Sequence, residues 1–132
     1  MENVVTLDDI VPEEWTGDEA GHHQGRIWWI FTPDTIDTEG LKMHVQEYDP
    51  GGYTDAADHP PHMNIEQVYY ILSGTMAVTI SGKEYIAKPG TFVYIPRGAE
   101  HNHRNAGEDK MVFLTVNSPV RSGDIPPLPD RG

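Results

Sequence analysis

Seven short segments of the chain are rich in Val, Ile, Thr and aromatic residues, the composition that is typical of β-strands. Turn residues bound most of these segments, and Ser73-Gly74 and Ser81-Gly82 are tight hairpin signals. No segment with a helical period separates the strands, so the pattern predicts an all-β, antiparallel sandwich or barrel. The predicted strands are Arg26 to Thr32, Leu41 to Tyr48, Gln67 to Ser73, Thr75 to Ser81, Lys83 to Ala87, Thr91 to Ile95 and Met111 to Asn117.

The two ends of the chain differ from this central region. Residues 1–25 are acidic and weakly patterned, and we expect an N-terminal extension there. It forms either a helical turn around Asp8 to Trp15 or an extended arm that caps the fold. Residues 26–118 form the predicted barrel. Residues 119–132 are a Pro-rich C-terminal tail that cannot form a helix or a central strand, and we expect it to be disordered or an extended arm.

Composition narrows the classes of function. A chain of 132 residues fits one domain that can bury a core. The net charge of −12 argues against nucleic acid and anionic membranes as partners. The absence of cysteine excludes disulfides, thiolate catalysis and cysteine-type zinc sites. No apolar run approaches the roughly 20 residues of a membrane span, and no signal-like segment begins the chain, so we expect a cytoplasmic protein.

The most informative segment runs from Gly90 to Asn105. Its β-rich run, Thr91 to Ile95, is stopped by Pro96-Arg97-Gly98, and His101 follows this turn. Proline fixes φ and glycine accepts tight-turn geometry, so the histidine is held at a defined place. An imidazole presented in this way suits metal ligation or proton transfer near neutral pH.

The same segment carries a family resemblance. Gly90-x5-Pro96-x-Gly98-x2-His101-x3-Asn105 matches the second conserved motif of the cupin superfamily at each defined position. A variant of the first cupin motif lies upstream, and the resemblance covers roughly Pro50 to Asn117. The residues of this variant are Gly52, His59, His62, Gln67 and Gly74.

The resemblance implies a small jelly-roll β-barrel that binds one divalent transition metal inside. The implied ligands are His59, His62, Gln67 and His101. The sequence does not distinguish Mn, Fe, Ni, Co and Zn, because sites of histidine and amide ligands accept all of them.

Two departures from the family pattern concern the first motif. His59 and His62 are three residues apart rather than two, and a regular strand would place them on opposite faces, although the Pro60-Pro61 kink could bring both rings inward. Counting back from Gly74 puts Gln67 in the position of the usual Glu, whereas Glu66 is one residue away. A one-residue shift turns a side chain to the other face of a sheet, so only one of the two points inward, and the hairpin register favours Gln67.

We expect a metal-dependent enzyme that acts on a small polar organic molecule by redox-neutral Lewis-acid chemistry, of lyase, dehydratase, isomerase or cyclase type. A neutral amide ligand leaves the cation less compensated than a carboxylate would, and this favours polarisation of a carbonyl or hydroxyl. His103 and Tyr69 are the candidates for proton transfer. His103 could instead be a solvated rim residue, and Tyr69 could be a core aromatic. The alternatives are an Fe(II)-dependent dioxygenase and a non-enzymatic small-molecule-binding or sensing barrel.

Three further expectations concern surfaces. Trp28, Trp29 and Phe31 exceed what one sheet face can bury, so we expect one of them to pack against a tail or a second subunit, and with the resemblance this suggests a homodimer. His22 and His23 lie in a Gly-flanked loop and are expected at the surface. His44 faces away from Met43 and Val45, toward either the pocket or solvent.

Overall fold

The computed structural model describes residues 1–16, 21–55, 61–62 and 65–119. Nearly all of the regular structure in these residues is β-strand. The strands are β1 (Glu13–Glu14), β2 (His22–Phe31), β3 (Lys42–Thr54), β4 (Ile65–Ser73), β5 (Met76–Ile80), β6 (Lys83–Ala87), β7 (Phe92–Ile95), β8 (His101–Asn105) and β9 (Met111–Pro119). A 3-10 turn spans Leu7–Asp9, and the four-residue helix α1 spans Pro33–Ile36.

The strands pair antiparallel throughout the described residues. Their order is β6-β5-β8-β3-β9-β4-β7, with β2 on β3 and β1 on β2. The long strand β3 is central, because it pairs with β2 along one edge and with β9 and then β8 along the other. The prediction of an all-β antiparallel jelly-roll barrel is confirmed.

Strand β8 is the one described barrel strand that the apolar pattern did not predict. Its sequence, HNHRN, contains no β-branched or aliphatic residue. It is nevertheless half buried, because its alternate residues His101, His103 and Asn105 point inward and pair across to β5. The buried face of this strand is therefore polar.

The inward-facing side chains change from apolar to polar along the barrel. In β9 the buried positions read Met111, Phe113, Thr115 and Asn117, from one end of the strand to the other. Neighbouring strands repeat the gradient in register, with Ile71, Tyr69 and Gln67 in β4 and Tyr48, Gln46 and His44 in β3. One end of the barrel therefore holds the hydrophobic core, and the other end is lined by polar groups.

The N-terminal region combines a short helical turn with an extended arm. A 3-10 turn at Leu7–Asp9 is followed by the extended pair Glu13–Glu14, which lies against Arg26 and Ile27 of β2. Strand β2 itself begins at His22, within the predicted extension. Pro119 is the last residue of β9, and residues 120–132 of the predicted tail lie outside the described residues. None of the helices in the described ranges is long and apolar enough to cross a membrane.

The hairpin predicted at Gly74 does not form among the described strands, because β4 pairs with β7 and β9 whereas β5 pairs with β6 and β8. Gly74 instead lies in the bend that connects β4 to β5, and its close packing there can be tested. Gly74 has φ +77°, and a Cβ there would lie 2.5 Å from the carbonyl oxygen of Lys110. Gly82 has a similar φ of +84°, but nothing lies within 4 Å of its Cβ position. Both alanine variants suffer the left-handed backbone cost of about 1 kcal/mol, and we expect Gly74→Ala to lose roughly 1–3 kcal/mol more through the clash. Urea unfolding of the two variants measures the difference, and equal losses would contradict this turn geometry.

Candidate metal centre and cavity

The polar end of the barrel encloses a cavity of about 270 Å³. Its wall is made by β2, β3, β4, β8 and β9, together with the described residue His62. No aspartate or glutamate is among the described residues that line it. The lining residues are His22, Ile27, Trp29, Lys42, His44, Gln46, His62, Ile65, Gln67, Tyr69, His103 and Asn117.

Gln67 and Glu66 lie on opposite faces of β4. Gln67 is 5% exposed and lines the cavity, and its Oε1 accepts no hydrogen bond from any described residue. Glu66 accepts a hydrogen bond of 2.7 Å from the exposed hydroxyl of Tyr94. A buried amide oxygen without a donor is costly, so Gln67 presents an acceptor that a cation or a ligand N–H or O–H group would satisfy.

His62 and His101 face each other at the same end of the barrel. Their ring centroids are 5.4 Å apart. Nδ1 of His101 lies 3.0 Å from the carbonyl oxygen of Ala99 and donates to it, because a carbonyl can only accept. The lone pair of His101 is therefore on Nε2, which is buried. A backbone acceptor on the second ring nitrogen is how proteins orient metal-binding histidines.

Both histidines favour the neutral form. Burial lowers the pKa of His62 below 6.5, and the charges of His101 and Lys42 lower it further. Burial also lowers the pKa of His101, partly opposed by its hydrogen bond to Ala99. Neutral imidazole is the form that binds metals, so both rings are available as ligands at neutral pH.

The turn at Pro96-Arg97-Gly98 connects the two histidines. The N–H of Gly98 donates to the carbonyl oxygen of His62 over 2.8 Å, and the N–H of Ala99 donates to Pro96 over 3.2 Å. Gly98 has φ +76°, a conformation that L side chains rarely adopt. The turn that positions His101 at the start of β8 therefore also fixes the backbone of His62.

The structure brings His62, Gln67 and His101 to the polar end of the barrel, and these residues fit a metal through two neutral imidazoles and one buried amide oxygen without a donor. His59 lies outside the described residues. Within the described ranges no group of three His, Cys, Asp or Glu side chains could hold a metal ion. The ligand set of His59, His62, Gln67 and His101 stays a prediction.

His103 and Tyr69, the predicted proton-transfer residues, lie next to each other inside the barrel. His103 is 3% exposed, and its ring meets Tyr48, Tyr69 and Phe113 edge-on at centroid distances of 5.0–5.7 Å. Tyr69 is 2% exposed, belongs to the core cluster and also lines the cavity. Burial raises the pKa of Tyr69, so its hydroxyl stays protonated at neutral pH.

The hydroxyl of Tyr48 links three strands beneath the cavity. It donates to Oε1 of Gln46 over 3.1 Å, and it lies 2.6 Å from Nδ1 of His22 and 2.9 Å from Nε2 of His103. A phenol has one proton, so with that proton on Gln46 both imidazole nitrogens donate to the Tyr48 oxygen. This arrangement leaves Nδ1 as the basic nitrogen of His103.

His44 faces the cavity rather than solvent, the two positions that the sequence left open for it. It is 4% exposed, and its Nδ1 lies 3.3 Å from the amide nitrogen of Gln46. Burial lowers its pKa to about 3, with smaller contributions from Lys42, His22 and His62. Because the amide N–H donates to Nδ1, the ring is neutral and carries its proton on Nε2.

The expectation of a surface position is wrong for His22. Its ring stacks on Trp15 at a centroid distance of 4.3 Å and an interplanar angle of 9°, and it lines the cavity. Trp15 is held in this position because its backbone N–H donates to the carbonyl oxygen of Gly25 and its ring also packs against Tyr48. The N-terminal arm therefore packs against His22, which is a residue of the cavity wall.

Sequence reasoning did not identify several cavity residues. They are His22, Gln46 and Asn117 in the cavity wall, and Tyr48, which bonds to Gln46. Asn117 lies two positions from Thr115 and four from Phe113, so the alternation of β9 carried the signal that it points inward. For His22 no comparable signal exists, because its position depends on the stacking of Trp15, which belongs to a weakly patterned segment.

Comparisons with solved structures place this architecture among known proteins. A "predicted oxalate decarboxylase" from Thermotoga maritima superimposes with a TM-score of 0.77 and 21% identity, over 89% of this chain and 99% of that one. The polyketide cyclase RemF from Streptomyces resistomycificus gives a TM-score of 0.70 and 28% identity, over 90% of this chain and 80% of that one.

Sequence comparisons give a family match and two kinds of partial relative. The family model described as a cupin domain matches residues 44–117, more than half of the chain. Mannose-1-phosphate guanylyltransferase of Klebsiella pneumoniae is 27% identical over 96 residues, and the chain spans only 20% of that protein's length. The 5-aminosalicylate 1,2-dioxygenase of Comamonas sp. is 34% identical over 53 residues, which are 40% of this chain and 14% of the dioxygenase.

The lowered pKa of His44 generates a pH prediction. The folded pKa of about 3 lies below the ordinary 6.5, so the folded state binds fewer protons between these values and stability falls as pH falls through this window. From pH 6.5 to pH 5 we expect His44 to contribute a loss of roughly 1–2 kcal/mol, because an unfolded histidine goes from about half to nearly full protonation at 1.36 kcal/mol per proton and pH unit.

Denaturant unfolding at the two pH values checks this contribution in His44→Gln, which cannot titrate. His23→Gln is the control, because His23 stacks on Tyr53 and does not line the cavity. We expect a smaller acid loss in His44→Gln than in the wild type or the control. An equal acid loss in all three proteins would contradict a buried, neutral His44.

Proposed function

The chain belongs to the cupin family, and from this premise we propose that it is a metal-dependent enzyme that performs redox-neutral Lewis-acid chemistry on a carbonyl compound. The observation that carries the proposal is the neutral donor set. Gln67 offers a buried amide oxygen to the cavity that His62 also lines, His101 lies next to His62, and no carboxylate lines the described wall of the cavity. A divalent ion held by such donors keeps most of its charge.

The metal would be held by His62, Gln67, His101 and the undescribed His59. When bound, it supplies a Lewis acid that polarises a carbonyl oxygen. The chain's own residues supply the remaining functions. The aromatic and aliphatic side chains of the cavity exclude water, and Tyr69, protonated at neutral pH, is a hydrogen-bond donor rather than a base.

His103 is the residue that we propose for proton transfer. With its Nε2–H donated to Tyr48, its Nδ1 is the nitrogen that can accept a proton. Tyr48 is in turn bonded to Gln46 and His22, so the imidazole is held in one tautomer and orientation. This arrangement suits removal of a proton from a carbon next to a carbonyl and its later return to an oxygen leaving group.

Ring closure is the most specific reaction that these features support. In an intramolecular aldol condensation a carbon next to one carbonyl loses a proton and attacks a second carbonyl, and water leaves after protonation of its oxygen. RemF, described as a polyketide cyclase, is similar over most of both chains. We therefore propose a cyclase that acts on a compound with several carbonyl groups.

A second candidate is an Fe(II)-dependent dioxygenase. Three histidines with an oxygen donor suit iron, and a segment of this chain is similar to a dioxygenase. Turnover of a linear 1,3,5-tricarbonyl compound, with each metal added in turn, separates the two. A cyclase gives a product lighter by one water, with several divalent metals and without oxygen uptake. Oxygen uptake with Fe(II) alone would favour the dioxygenase, and failure to retain any stoichiometric transition metal would favour a binding or sensing barrel.

The adjacent residues Gln67 and Glu66 provide a matched test of the metal site. We expect Gln67→Ala to weaken binding of Zn²⁺ or Mn²⁺ by at least about tenfold, and Glu66→Ala to leave it unchanged, because Glu66 bonds Tyr94 on the outer face. Gln67→Glu should bind the metal more tightly and turn over more slowly, since a carboxylate neutralises part of the ion's charge. Metal loss in Glu66→Ala but not in Gln67→Ala would reverse this assignment.

Metal affinity should also depend on pH. Since the pKa values of His62 and His101 both lie below 6.5, protons compete with the metal only once the pH falls beneath that value. Calorimetric titration with Zn²⁺ should therefore give a constant affinity at and above neutral pH and a decreasing affinity below about pH 6.5. An affinity that is unchanged down to pH 5 would contradict histidine ligation.

A further inference from the structure

The cavity lies next to a second concave region, and two side chains line both of them. An outer groove of about 230 Å³ is lined by Trp29, Thr32, Asp34, Thr35 and Lys42. Trp29 and Lys42 also line the inner cavity. The inner cavity, at about 270 Å³, is smaller than the roughly 300–1,000 Å³ of typical ligand pockets. A substrate larger than a small fragment would therefore extend past these two side chains into the outer groove.

Lys42 supplies a positive charge at this junction. It is exposed, and it makes no ion pair with a carboxylate of the described residues. Arg26, one strand away, is by contrast paired with Glu14, Glu47 and Asp49. Because Lys42 lines both the cavity and the outer groove, its charge acts on a ligand in either of them. Although the chain has a net charge of −12, the Lys42 ammonium thus attracts an anion locally at this junction.

Trp29 supplies a flat surface beside that charge. Its Nε1 donates to Glu13 of the N-terminal arm over 2.9 Å, and the ring of His44 meets it edge-on at 5.2 Å. Lys42 Nζ lies 4.9 Å from the indole centroid. An indole held by these contacts loses little further freedom when a planar group packs on it, and this favours binding.

We propose that Lys42 and Trp29 form a subsite for a singly charged oxyanion, a carboxylate or enolate, on a planar conjugated substrate that extends from the cavity into the outer groove. Lys42 attracts the anion, and Asp34, which lines the same groove, repels a phosphate dianion about twice as strongly as a singly charged group. The inference rests on the proposed function only in taking the cavity as the place where the substrate reacts. Lys42 and Trp29 would select and position the substrate, whereas the proton and metal chemistry belongs to the residues deeper in the cavity.

Binding of three probes tests the subsite without any turnover. 2-Naphthoate is planar and anionic, 2-naphthamide is its uncharged analogue, and 2-naphthyl phosphate carries the dianion. On the purified protein, ligand-observed NMR titrations should give naphthoate a Kd roughly fivefold or more below that of the amide and the phosphate. This preference should shrink at high salt.

Two pairs of variants provide matched controls. Lys42→Met should abolish the preference for naphthoate over the amide. Lys83→Met should retain it, because Lys83 also lies over an aromatic ring, Tyr85 at 5.0 Å, but does not line the cavity or the groove. Trp29→Ala should weaken naphthoate and naphthamide alike, and Trp28→Ala, with its side chain on the opposite face of β2, should weaken neither.

The same titrations in the presence of EDTA separate this inference from the proposed function. Naphthoate binding that survives EDTA and depends on Lys42 supports the subsite even if the protein proves to have no metal-dependent activity. Naphthoate binding that disappears with EDTA and has the same affinity in Lys42→Met would place the anion on a metal and overturn the subsite. Equal affinity for the anion and the amide, tighter binding of the phosphate, or no saturable naphthoate binding would overturn it as well.

Discussion

Polar groups that are buried inside a small β-barrel must find hydrogen-bond partners, and this constraint shapes the functional end of the molecule. The hydroxyl of Tyr48 satisfies this constraint for three side chains at once, since Gln46, His22 and His103 all form hydrogen bonds with it. Tyr48 also packs parallel to Phe113, at a centroid distance of 6.1 Å, and is fully buried. Tyr48 lies where the hydrophobic core ends and the polar cavity begins. Its position therefore determines the orientation of the His103 imidazole that bonds to it.

A second connection ties the candidate metal ligands to the fold. The turn after β7 stops the strand at Pro96, bonds the backbone of His62 through Gly98, and places His101 at the first position of β8. Two candidate ligands that are far apart in sequence are thereby held by one turn. Preorganised ligands bind a metal without a large conformational cost, and this is how a site with a neutral amide in place of a carboxylate could still bind a divalent ion tightly.

Local patterns in the sequence predicted much of this. The apolar segments predicted the barrel class, and counting back from Gly74 predicted correctly that Gln67 lies inside and Glu66 outside, although the hairpin expected at Gly74 does not form. Patterns could not predict features that depend on distant contacts. The pattern did not predict strand β8 because its buried face is polar, and it did not predict the position of His22 because that position depends on contacts with Trp15 and Tyr48. The Lys42–Trp29 junction likewise arises from the pairing of β2 with β3.

The central claim is that the polar end of this barrel holds a divalent metal through neutral donors. The most direct measurement is anomalous X-ray diffraction from crystals of the purified protein, reconstituted with Zn²⁺ or Mn²⁺ at neutral pH. We expect one strong anomalous peak in the cavity. It should lie within bonding distance of His101 Nε2, a ring nitrogen of His62 and Gln67 Oε1. No peak in the cavity at full metal loading, or a peak bound by Glu66 instead, would contradict the claim.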